Sequence, residues 1–79
     1  MNGLLLVAEC DGNRYEVVVD ETVGYYVFRY VGDGPRTTHD YLQDDLEMAK
    51  SCAENEFDVP PAAWRSAAVH EEPAYNRVK

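Results

Sequence analysis

Residues Gly24–Val31, GYYVFRYV, read as a strand and set the problem of this chain, because bulky groups alternate onto both of its sides. Tyr26, Phe28 and Tyr30 fall on one face; Tyr25, Val27, Arg29 and Val31 fall on the other. The charge at Arg29 assigns the second set to the outside and the first to a core. A strand with two apolar faces needs two covers, and a chain of 79 residues must supply them or borrow one.

Toward the N-terminus, the runs LLLVAEC (4–10) and RYEVVVD (14–20) flank Asp11-Gly12-Asn13. An Asp-Gly pair between such runs predicts a hairpin, because the primed turn needs positive φ at both central residues. A two-residue loop sets Cys10 opposite Asn13, and it or a four-residue loop of equal parity sets Glu9 opposite Arg14, Ala8 opposite Tyr15, Leu6 opposite Val17 and Leu4 opposite Val19. That register makes a favourable Glu9–Arg14 pair and gathers the apolar side chains on one face, whereas a one-residue slip scatters them. The connection DETVG (20–24) leads to the third strand. The expected sheet is a three-stranded antiparallel β-meander at about 3–10, 14–20 and 24–31.

Toward the C-terminus, GDGPR (32–36) ends the sheet with turn residues. Asp40 with Gln43 three residues on reads as a capping box, with Thr38 as the alternative cap. Leu42, Leu46, Ala49, Ala53 and Phe57 then recur at helical spacing, with Asp40, Asp44, Glu47 and Glu54 on the opposite side. The spacing predicts one long helix over about 39–58, stopped by Pro60 and Pro61. A short segment anchored by Trp64 follows. The expected fold class is α+β: a single domain over 1–69, with the helix on one sheet face, and a mobile tail over 70–79.

One helix covers one face. The other then carries Leu5, Val7, Val18, Tyr25, Val27 and Val31, a patch on the order of a few hundred Å² that marks an interface. The Trp64 segment, a second copy of the chain or a different protein are its three candidate covers. Since a chain this short is marginally stable by itself, a homodimer is the leading expectation.

Seven basic and fifteen acidic side chains leave a net charge of −8, which repels phosphate backbones and argues against nucleic acid as a partner. The acids concentrate: seven of them, against the single Lys50, lie between His39 and Asp58. Asp40, Asp44, Glu47 and Glu54 form a candidate recognition face for a basic protein. His39, Asp40 and Asp44, if they share a helical turn, are the one constellation suited to a divalent metal or acid–base chemistry. Acids at a helix start also need no purpose beyond the helix dipole. Cys10 and Cys52 match no metal or redox motif and read as reduced thiols, and no cofactor signature is visible. The strand aromatics lack the surrounding Lys and Arg of a single-stranded nucleic-acid platform. LLLVA has no preceding basic segment and is cut by Glu9, and no run approaches a membrane span, so a cytoplasmic location is expected.

Over about residues 4 to 57, the order strand–strand–strand–helix, with LQDDLEMAKSCAENEF as the helix, loosely resembles the sheet-and-helix half of HicB-type antitoxins. That family's glycine-rich segment before the helix and its appended DNA-binding region have no match here, so no functional residue carries over. The expectation from sequence is a small acidic, non-enzymatic protein-binding module of inhibitor, antitoxin or immunity type, acting on a basic partner and homodimeric. The alternative is a small-molecule- or metal-binding protein or enzyme using His39, Asp40 and Asp44.

Overall fold

Asp11 and Gly12 take φ values of 54° and 79°, the left-handed pair that a two-residue turn requires. They join β1 (Asn2–Cys10) to β2 (Asn13–Asp20). The computed structural model of the chain describes residues 2–31, 37–68 and 71. Cys10 meets Asn13, Glu9 meets Arg14, Ala8 meets Tyr15 and Leu6 meets Val17, as the charge pairing predicts. An irregularity between Leu4 and Leu6 then shifts the ladder, so Leu4 lies opposite Val18 and not Val19. The extra residue moves Leu4 to the other face of the sheet.

β3 (Gly24–Val31) returns antiparallel to β2 through a turn built on Asp20. The Asp20 carboxylate accepts from the N–H groups of Thr22 (2.9 Å) and Val23 (3.3 Å), and its carbonyl accepts from Val23 (3.1 Å). The register sets Tyr15 opposite Arg29, Val17 opposite Val27 and Val19 opposite Tyr25. Tyr25, Val27 and Arg29 therefore join the helix-covered face, and Tyr26, Phe28 and Tyr30 the reverse face, opposite to the expected assignment. Arg29 misled because it does not need open water: its guanidinium lies 5.6 Å from the centroid of the Phe57 ring.

The second correction lies after β3. Thr37–Gln43 forms β4, a fourth antiparallel strand beside β3, where the helix was expected to start. The helix, α1, spans Leu46–Phe57, against the expected 39–58. Its cap is Asp45, whose carboxylate accepts from the Met48 N–H at 2.8 Å. At the far end Asp58 takes a φ of 58°, and the Val59 N–H returns to the Ala53 carbonyl at 3.3 Å, folding Val59 fully into the core. A 3-10 turn (Pro61–Ala63) follows, and then β5 (Arg65–Ser66), which pairs antiparallel to β1. Among the described residues the sheet is thus five-stranded, in the order β4-β3-β2-β1-β5, and the fold is α+β with a meander-like antiparallel sheet.

Ala49 and Ala53 let α1 lie close on Tyr15, Val17 and Val27. Phe57 sits between the rings of Tyr15 and Tyr41, at centroid distances of 5.4 and 5.8 Å. On the reverse face Tyr26, Phe28 and Tyr30 form a ladder with centroids 5.6 and 6.3 Å apart. Among the described residues no helix is long and apolar enough to cross a membrane. The GDGPR turn and all of the expected tail except Glu71 lie outside the described residues.

Candidate functional site

Two places on this sheet gather charge. The first surrounds Arg14, on the reverse face. Arg14 and Glu16 are two residues apart on β2, so their side chains share that face. The Arg14 Nε donates to Glu16 Oε2 at 2.5 Å, and Glu16 is fully buried. From the other side Glu71 accepts from Arg14 (3.2 Å) and, through both oxygens, from Arg65 (2.8 and 2.9 Å). Arg65 also lies 3.9 Å from Glu9, and the Ala68 N–H donates to Glu71 at 3.0 Å. The Arg65 bonds, and then the Ala68 N–H, hold the Glu71 carboxyl well below the usual range, at about 2. Arg14 is raised although burial opposes its charge, because Glu16 and Glu71 both face it. Nothing in the sequence predicted this chain of ion pairs; the Arg14/Glu16 spacing on one strand face was its only local signal.

The second place is the free edge of the sheet. Among the described residues β4 is an outer strand with no further strand beside it, whereas on the opposite side β1 is paired at Leu6 and Val7 by β5. Asp40 and Leu42 are exposed on it, Leu42 to 47 %. Asp44 and Asp45 follow in the bend to α1, and Glu47 lies in the first turn of α1. Glu54 is exposed farther along the helix. Among the described residues none of Asp40, Asp44, Glu47 or Glu54 forms an ion pair. The acidic face expected on one helix is therefore divided: Asp40 stands on a strand, Asp44 in a bend, and Glu47 and Glu54 on α1.

Between β4 and α1, the Tyr41 hydroxyl donates to Glu56 at 3.3 Å. Burial and then the Glu56 charge push the Tyr41 hydroxyl up. Burial, with Glu56 adding, likewise pushes up the Cys52 thiol, which stays protonated and so is a poor nucleophile. His39 and Asp40 are successive residues of β4, paired with Arg29 and Phe28. They do not share the helical turn on which the metal constellation with Asp44 depended. Among the described residues no three His, Cys, Asp or Glu side chains are placed to hold a metal ion.

The candidate interface residues separate into four places. Val7 and Val18 do lie on the reverse face, yet Val7 is fully buried and Val18 is 4 % exposed within one chain. Hiding them requires no second copy. Leu5 sits in the irregular stretch of β1, where its carbonyl accepts from the Ala67 N–H at 3.0 Å. Tyr25, Val27 and Trp64 belong to the helix-side core, and the Trp64 indole N–H is buried there with no acceptor among the described residues. Val31, at the end of β3, is exposed. The part of the surface that sequence reading missed is the backbone edge of β4 itself.

Compared with known proteins, the chain matches no family model, no curated protein and no solved structure.

Proposed function

We propose that this chain is a small acidic, non-enzymatic protein-binding module that recognises a basic partner along the β4 margin. One observation carries the reading: among the described residues the sheet leaves β4 open and the acids beside it have no counter-ion. Arg14 and Arg65 are occupied elsewhere by Glu16, Glu71 and Glu9. An inhibitor, antitoxin or immunity role suits such a surface, since complementary charge speeds encounter and rejects wrong partners. The homodimer expectation loses its main support, because Val7 and Val18 are already buried in one chain.

The test is affinity capture from the native cell with the wild-type chain and with an Asp40→Lys/Asp44→Lys variant, read by mass spectrometry. A basic protein retained by the wild type and lost by the variant is the expected result. Identical captures by the two chains contradict the reading.

A further inference from the structure

We infer that β4 takes an extended cationic segment of its partner as an additional strand of the sheet. The inference rests on the binding-module reading above and specifies its mode. In a hairpin closed by a two-residue turn, the closing residues exchange both backbone hydrogen bonds, and bonded and non-bonded pairs alternate from there. That alternation runs from Cys10 and Asn13 across the unshifted β2–β3 register and the Tyr25–Arg29 part of β3. It turns the backbone groups of His39, Tyr41 and Gln43 toward β3. The N–H and C=O groups of Asp40 and Leu42 then face out of the sheet, as a template for one more strand.

The side chains choose the occupant. Asp40 and Leu42 stand two residues apart on one face, both exposed. A strand laid beside them meets an anion and an aliphatic group in alternation, with Asp44 and Asp45 beyond. The complementary segment carries Lys or Arg opposite Asp40, an aliphatic residue two positions along opposite Leu42, and further cations toward the bend. A second copy of the chain is a poor occupant. Within β4 Asp40 is the one acid and there is no Lys or Arg, so pairing β4 with its own copy about Asp40 sets two like charges opposite each other. The edge is thereby guarded against itself and left open to a cation-bearing strand.

The probe is a blocked nine-residue peptide of threonine, lysine and valine, with lysine and valine two residues apart. Its controls are the same peptide with two threonines replaced by proline, which keeps the charge but removes backbone donors, and a glutamate-for-lysine version. Binding is followed by amide shifts and amide exchange on the isotope-labelled full chain. The expected result is shifts centred on Thr38–Leu42 and slowed exchange at Asp40 and Leu42. The proline peptide should bind at least about tenfold weaker, the scale of two lost backbone hydrogen bonds, and the glutamate peptide should not bind. Equal binding of the lysine and proline peptides overturns strand addition while leaving a cationic partner in place. Shifts at β4 that grow with protein concentration alone overturn it in favour of a second copy. No binding by either cationic peptide overturns both this inference and the basic-partner reading.

Discussion

Around Arg14, the carboxylates of Glu16, Glu71 and Glu9 and the guanidinium of Arg65 are tied into one chain of ion pairs. Along β4 and α1, Asp40, Asp44, Glu47 and Glu54 face solvent with no such pairing among the described residues. Burial separates the two regions. A fully buried carboxylate such as Glu16 must be answered by a cation, so the Arg14 corner is part of what holds the fold. An exposed acid costs little to leave unpaired and stays available for another molecule. The same residue types are tied into the architecture in one place and stand exposed to solvent in the other.

Breaking the paired corner should have the largest effect. Arg14→Ala strips a partner from buried Glu16 and is expected to cost about 3–5 kcal/mol in urea unfolding. Replacing the pair together, Arg14→Met with Glu16→Leu, should recover most of that loss. A small effect of Arg14→Ala alone would remove the contrast between the regions.

Gly24→Ala should come next. Gly24 has a φ of 144°, and a Cβ there would stand 2.6 Å from the backbone oxygen of Gln43, the last residue of β4. Strain of this kind costs about 1–3 kcal/mol. Because it falls where β3 meets β4, amide exchange should rise across Thr37–Gln43 before it rises in β1 and β2.

Glu71→Gln probes the corner by charge alone, with an expected loss of about 1–2 kcal/mol at neutral pH. The Glu71 carboxyl sits at about 2 when folded, against an ordinary 4.5. Its contribution is therefore fully present above the ordinary value and is lost as pH falls through 4.5 toward 2. Acid titration of thermal stability should show a shallower decline over that window in the Gln variant than in the wild type. Asp40→Asn should have the smallest effect, within about 0.5 kcal/mol in the same unfolding assay.

Much of the sheet was legible. Asp11-Gly12 fixed the first turn, and the Glu9–Arg14 pair selected the register that the structure shows as far as Leu6. The faces of β3 were not legible, because the charge of Arg29 signals water in the sequence while its head rests over Phe57 in the fold. Arg14 and Glu16 are a second case: two charges at alternate positions of one strand answer each other, and Glu71 pairs with Arg14 as well. β4 was hidden by two helix signals, the Asp40/Gln43 spacing and an apolar period running unbroken from Leu42 into α1. The true cap, Asp45, lies five residues on, and Leu42 is an exposed strand residue that happens to be in phase with the helix. The acids of the candidate site were legible as a charged stretch, but the open edge beside them depends on tertiary pairing that local spacing does not encode.

The most direct test of the account compares two charge reversals of equal size in calorimetric titrations with the lysine peptide. Asp40→Lys changes the β4 margin, and Glu9→Lys changes an exposed acid of the paired corner. Both alter net charge identically, so long-range attraction moves both alike. The account predicts a loss of at least about tenfold for Asp40→Lys and less than about threefold for Glu9→Lys. Equal losses would contradict it, because net charge and not the β4 edge would then hold the peptide.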